Sequence, residues 1–246
     1  MTSGTPDIHD RLSARARPEG TPVMKQSWDK LLFLNWEIPV RAVRPLIPEP
    51  LKIDTFAGNA WLTVTPLTIW DAGPKYLPTV PYISRLHELN VRTYVYFDGV
   101  PGVWFFSLDA NNLLAVEAAR LLFCLPYFTA DIELTIEKRV HFSSSRKDQK
   151  AEFEADWTIG DDLPSAEPGS LDFFLLERYC LYTADDGKIY RCRINHEPWP
   201  LQSPEDVSIG KTSVVAADGI QLPKTRPVVH CGGPVHVDVW PLEQVA

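Results

Sequence analysis

Apolar and polar residues alternate with a period of two along several stretches of the chain, the spacing of a strand with one face buried and the other wet. Over residues 90–108, Val91, Thr93, Val95 and Phe97 fall on one side, and Arg92, Tyr94 and Tyr96 on the other. Asp98-Gly99-Val100-Pro101-Gly102 supplies turn chemistry, so residues 103–108 return as the second strand of a hairpin. A second hairpin sets Ile132, Leu134 and Ile136 against Ala151, Phe153, Ala155, Trp157 and Ile159, across a polar loop at 143–149. A third runs from Leu181 through Asp185-Asp186-Gly187 to His196, and residues 235–240 alternate once more. The apolar run 31–38 reads as a buried strand, and residues 60–67 are rich in strand formers.

Helical signals are fewer. One helix is predicted over 113–125, capped by Asn111 or Asn112 and stopped before Pro126; a second covers 171–179 with Ser170 as its N-cap. Strands joined as hairpins, rather than as strand-helix-strand units, predict a mainly β (α+β) protein. The architecture is an antiparallel barrel or sandwich carrying two or three helices. Residues 1–22 mix Thr, Ser, Gly, Pro and balanced charges, and read as a disordered arm ahead of a single domain over 23–246.

Composition narrows the function classes. With 45% hydrophobic and 11% aromatic residues, the 246-residue chain buries a real core. No run of about 18 apolar residues is present, so no membrane-spanning helix is predicted. A net charge of -8 without a Lys/Arg cluster argues against nucleic acid as a partner. Four cysteines without a C-x-x-C, and an N-terminus without an apolar signal core, point to free thiols in the cytoplasm.

Four positions carry candidate chemistry, each with a plain alternative. Strand geometry places Asn90, Arg92, Tyr94 and Tyr96 on one face. If that face is interior, Arg92 can hold a carboxylate with Glu88 offsetting its charge; if exterior, the two form a surface ion pair. Arg120 lies in an almost wholly apolar segment, which fits either burial beside a ligand or a cation offsetting a helix C-terminus. Glu177-Arg178-Tyr179 ends an apolar helix face, as a binding pair or a structural bridge. His196 shares a face with Tyr190, Cys192 and Ile194, as a general acid or base or as a core histidine. The loose cluster His230, Cys231, His236 and Asp238 matches no common zinc spacing, and no Walker, G-x-G-x-x-G or G-x-S-x-G motif is present. No metal or other cofactor is predicted.

The series Gln26-Ser27-Trp28, Asn90-Val91-Arg92-Thr93-Tyr94-Val95, Phe105-Phe106-Ser107-Leu108-Asp109, Leu125-Pro126-Tyr127, Glu177-Arg178-Tyr179 and His196-Glu197-Pro198-Trp199-Pro200-Leu201 resembles the YqjF-like family of uncharacterised bacterial proteins. That family is grouped with the acetoacetate decarboxylase-like superfamily. The resemblance implies a cone-shaped antiparallel β-barrel around a small-molecule cavity, and, since relatives of this fold are often oligomers, self-association. Acetoacetate decarboxylases use a lysine pair, one forming a Schiff base with the keto acid and the other lowering its pKa. Aligned on the proline, that pair falls on Tyr127-Phe128, and no lysine occurs between Lys75 and Lys138. The resemblance therefore implies an anion-friendly pocket for a small organic acid or keto compound, without imine chemistry. Arg92 and Arg120 are its expected clamps, Tyr127 a hydrogen-bond donor to a carbonyl, Tyr94 and Arg178 further binding groups, and Glu88 and His196 the acid/base candidates.

Overall fold

The computed structural model describes residues 4–80 and 84–246. The alternating stretches become strands. In chain order they are β1 (Met24–Asp29), β2 (Leu31–Ile38), β3 (Lys52–Ile53), β4 (Ala60–Pro74), β5 (Leu86–Phe97), β6 (Val100–Ala110), β7 (Tyr127–Ile136) and β8 (Val140–Arg146). They continue as β9 (Glu152–Asp162), β10 (Cys180–Asp185), β11 (Lys188–Asn195), β12 (Leu201–Ile209), β13 (Val228–Gly232), β14 (Val235–Val239) and β15 (Glu243–Gln244). The helices are α1 (Ile8–Ser13), α2 (Val40–Val43), α3 (Leu113–Phe123), α4 (Leu171–Leu176) and α5 (Ser213–Ala217), of which only α3 exceeds two turns. Asn112 opens α3 by accepting from the Ala115 amide, and Cys124 closes it in the left-handed region, ahead of Pro126.

Hydrogen-bonded pairing closes on itself twice. One ring runs β1-β14-β11-β10-β6-β5-β4 and back to β1. The second uses the same β4, β5 and β6 and is completed by β7, β8, β9, β12, β13 and β2. Two forks make this possible. The first part of β4 pairs with β2 and its last part with β1; likewise β6 pairs with β10 at Val103–Trp104 and with β7 at Leu108–Ala110. The two contacts of β6 with β10 and β7 are parallel, and every other pairing among the described residues is antiparallel. The predicted class, mainly antiparallel sheet with few helices, is the class observed.

The shared partition has a ring interior on each side, one packed with apolar side chains and one holding a cavity, so its strands are buried on both faces. That is why residues 60–69 are buried without interruption instead of alternating. Two apolar clusters form around it: one gathers Val64, Val91, Phe142, Phe153 and Trp157, the other Ile69, Tyr94, Val103, Ile194 and Val237. On β6 a bulge interrupts the register, Val91 facing Ser107 and Arg92 facing Phe105. The extra residue, Phe106, shifts the parity so that Phe105 and Leu108 reach the same hollow.

Two expectations are corrected. The loop predicted at 143–149 is mostly strand: β8 runs to Arg146, with Val140, Phe142, Ser144 and Arg146 buried in alternation. Serines weaken the strand signal, yet a small hydroxyl fits an inward site where it meets a carboxylate, as Ser144 does with Asp109 at 3.2 Å. The disordered arm predicted at 1–22 contains α1, capped by Asp7. Its arginines dock on the domain, Arg11 on Asp54, Arg15 on Glu177 and Arg17 on Asp238. Buried or half-buried acids on the domain supply the partners that composition alone does not reveal.

Candidate functional site

The seven-strand ring encloses a cavity of about 120 Å³. Every strand of the ring contributes to its wall: Gln26 from β1, Ile69 from β4, Glu88 and Arg92 from β5, Phe105 from β6, Leu181 from β10, Cys192 from β11 and Val239 from β14. Phe123 at the end of α3 and Tyr127 at the start of β7 close one side, and Arg178, just beyond α4, closes another. The parity of β5 turns Glu88 and Arg92 into this hollow, while Val91 and Val95 pack in the other ring.

Glu88 is 4% exposed. Tyr127 Oη donates to its Oε2 at 2.7 Å, and Asn90 Nδ2 to its Oε1 at 3.4 Å. Burial raises the carboxyl to about 7; the two hydrogen bonds and the charge of Arg92 pull the other way but do not cancel it. Burial and the neighbouring Glu88 push the Tyr127 phenol well above its ordinary value, so it stays a neutral donor.

Arg92 is the unusual group. Its guanidinium lies over the Phe33 ring, 5.5 Å from the centroid, and Nε has no hydrogen-bond partner. Among the described residues no carboxylate lies within 4.0 Å of it. Burial lowers its pKa from 12.5, yet an arginine remains charged at neutral pH. Arg178 is held differently. Nη1 donates to Asp54 Oδ2 at 2.6 Å and Nε to the Phe174 carbonyl at 2.8 Å, leaving Nη2 without a partner. Its guanidinium is sandwiched against Phe174 (4.3 Å) and Tyr94 (4.7 Å). Asp54 also receives both terminal nitrogens of Arg11, each at 2.7 Å, and these two cations overcome burial to hold its pKa below the ordinary carboxylate value. Among the described residues no lysine lines the cavity.

Against this wall a second, wider hollow of about 540 Å³ opens beside α3. Ala115, Ala118 and Leu122 of the helix face Pro74 at the end of β4 and Leu242 across it.

Residues 25–236 match the family model described as DUF2071, uncharacterized conserved protein. The chain belongs to the DUF2071 family. It is 41% identical over 231 residues, 92% of this chain and 94% of the other, to the uncharacterized protein YqjF of Bacillus subtilis (strain 168). Among solved structures, the enduracididine biosynthesis enzyme MppR, complexed with a condensation product of pyruvate and imidazole 4-carboxaldehyde, aligns with a TM-score of 0.64 at 12% identity, covering 92% of this chain and 90% of that one. Acetoacetate decarboxylase of Legionella pneumophila aligns at 0.62 and 10% identity, covering 100% and 98%. An acetoacetate decarboxylase-like enzyme of Sphingomonas wittichii RW1 aligns at 0.62 and 11%, covering 92% and 94%. At such identities these structures share their fold with the DUF2071 protein, and that fold is the one the sequence resemblance implied.

The sequence-predicted residues divide into two groups. Glu88, Arg92, Tyr127 and Arg178 meet at the cavity. Three others do not line it. Arg120 is exposed on α3, its Nη1 on Glu117 at 2.9 Å and its Nε on the Tyr127 carbonyl at 2.9 Å; it stands in the last turn of the helix, where a cation is favourable. His196 is 6% exposed but sits behind the wall, stacked on Tyr179 at 4.6 Å. Its Nδ1 donates to the Glu197 carbonyl at 2.6 Å, and burial lowers its pKa, which keeps it neutral. Tyr94 is a strut: its hydroxyl donates to the Leu175 carbonyl at 2.9 Å and meets Thr63 Oγ1 at 2.6 Å. Phe128, aligned with the second decarboxylase lysine, lies under Arg146 at 4.2 Å. His230 bonds Asn35 and Asp172, and His236 bonds Ser27; among the described residues no cluster of three metal-ligating side chains forms. Sequence reasoning missed Asp54 and Arg11, which hold Arg178 in place. An aspartate in a two-residue strand's wake carries no periodic signal to find it by.

Proposed function

We propose that this DUF2071 protein binds a small organic acid or keto compound inside the seven-strand ring, its carboxylate on Arg92, with Glu88 as the proton-transfer group. The observation that carries the reading is Arg92, half-buried on the cavity wall with its Nε buried and unpartnered and, among the described residues, no carboxylate within 4.0 Å. A cation so placed is costly unless an anion joins it, and a carboxylate supplies both the charge and two acceptors for the fork. The unpartnered Nη2 of Arg178 offers another donor at the same cavity. Glu88, with a pKa of about 7, is ionised in part of the molecules near neutral pH. Its carboxylate can accept a proton from the carbon beside a ligand carbonyl, the electron pair passing to the carbonyl oxygen, where an arginine N–H stabilises it. That favours a proton-transfer enzyme over a passive binder. The absence of lysine from the wall supports chemistry without an imine, and the fold neighbour MppR is known in complex with pyruvate. The open 120 Å³, a few waters' worth of space, weighs against a ring filled solely with aromatic side chains.

Titration calorimetry with pyruvate and with butyrate tests the reading. Short acids should bind, and Arg92→Met should weaken them by about 10–100-fold, the range for losing a charge-assisted pair. Borohydride added with pyruvate should leave the protein mass unchanged. Equal affinity in the wild type and Arg92→Met, no binding of either acid, or a borohydride-trapped adduct would each overturn it.

A further inference from the structure

The two hollows beside α3 differ in chemistry. The inner one holds Glu88, Arg92 and Arg178. Among the described residues the outer one is lined by no charged residue, and Gln26 and Tyr127 supply its only polar side chains. Met24, Gln26, Ile69, Ala119, Phe123 and Tyr127 border both. The boundary between them is therefore made of these side chains. Tyr127 is the hinge in the chemistry, its ring on both hollows and its hydroxyl on Glu88. On the helix side, Ala115, Ala118 and Ala119 present only methyl groups where a larger residue would fill the trough. A volume of about 540 Å³ is in the range of small-molecule sites. A three- or four-carbon acid seated on Arg92 would leave all of that apolar wall in contact with water.

Resting on the acid-binding reading above, we infer that the ligand of this site is a monocarboxylic acid with an apolar tail, an acyl or arylalkyl chain, whose head meets Arg92 and whose tail lies in the outer hollow against α3. Head and tail are then matched by two adjoining hollows that share six lining residues: a cation with an acid/base group in the inner one, and aliphatic and aromatic carbon in the outer one. Tail length, rather than the head alone, sets the affinity. Each methylene taken out of water tightens binding about fourfold until the trough is full.

The test is calorimetry on the full chain with butyrate, hexanoate, octanoate and decanoate, each below its micellar concentration. Affinity should rise about fourfold per methylene and then level off. Ala118→Phe, at an exposed helix position that borders the outer hollow alone, should bind butyrate as the wild type does and lose the dependence on length. Arg92→Met should weaken every member of the series. Butyrate binding with no gain for longer acids would overturn this inference and leave the acid-binding reading standing; failure of the whole series to bind would remove both. Octanoate binding that Arg92→Met does not touch would mean tail adsorption without a docked head, and would also overturn it. So would a dimer that Ala118→Phe dissociates while chain length has no effect, because the trough would then be covered by a second copy.

Discussion

Replacing Glu88 by glutamine should stabilise the folded protein, and more so as the pH rises. The folded environment raises the carboxyl from its ordinary 4.5 to about 7, chiefly because the charged form is taken out of water. The fold thus favours the protonated acid. Below pH 4.5 the side chain is neutral folded or unfolded, and it carries no penalty. Between 4.5 and 7 the unfolded chain ionises while the fold resists, and stability falls; above 7 the full cost is present. At 1.36 kcal/mol per pH unit the plateau is ~3 kcal/mol. Glutamine has nearly the shape of the neutral acid, keeps an acceptor for the Tyr127 hydroxyl and never ionises. The difference between the two proteins should therefore be near zero at pH 4.5 and reach ~3 kcal/mol by pH 8, or about 6–12 °C in melting temperature for a chain of this size. Differential scanning calorimetry of both proteins without ligand, from pH 4.5 to 8.5, reads it directly, since other titrating groups cancel in the difference. A constant difference across that range, or a less stable variant at pH 8, would refute the reasoning. It would mean that Arg92 satisfies the Glu88 carboxylate in the folded state.

Other outcomes follow from the buried ion pairs. Arg11→Ala removes one of the two cations on fully buried Asp54 and should cost about 1–3 kcal/mol in urea denaturation; an unchanged midpoint would mean that the arm adds nothing to the fold. Arg146 donates to Asp109 at 2.6 Å and to Asp218 at 3.1 Å, all three buried, so Arg146→Met should cost about 3–5 kcal/mol. Because burial raises Asp109 to about 6, that loss should deepen as pH passes upward through 6, and a pH-independent loss would contradict the assignment. The thiols of Cys180 and Cys192 are buried and pushed up, Cys180 to about 12, so neither should react with a disulfide reagent before the protein unfolds. Rapid native labelling of either would show that the ring opens.

The hairpins were legible because one-sided burial writes itself as alternation. The pairing of β5 with β6, β10 with β11 and the start of α3 at Asn112 follow from that pattern and from turn and cap residues. The parity that sets Arg92 apart from Val91 and Val95 was legible for the same reason, but whether the Arg92 face was interior or exterior was not, because it depends on which strands close around it. The forks of β4 and β6 were not: a strand with two successive partners looks like any long buried strand. Neither was the bulge at Phe106, since a shift of parity among consecutive apolar residues, Val103 to Phe106, leaves no mark. Arg120 and His196 show a different limit. An apolar neighbourhood in sequence identifies a buried segment, but whether a polar side chain there faces a cavity, a carbonyl or a neighbouring ring depends on contacts far along the chain, such as Tyr179 stacking on His196.

The shared partition between the rings constrains how this architecture can diversify. A side chain on β5 has neighbours committed to the opposite chamber one position away, so enlarging or recharging Arg92 or Glu88 strains packing around Val91 and Leu89 as well. Strands β1, β10, β11 and β14 belong to one chamber only, and positions such as Gln26, Leu181 and Val239 meet its contents without that obligation. Substitution can drift on this outer arc while Glu88 and Arg92 stay anchored to the common wall, a division of labour that a solitary cylinder of strands does not impose.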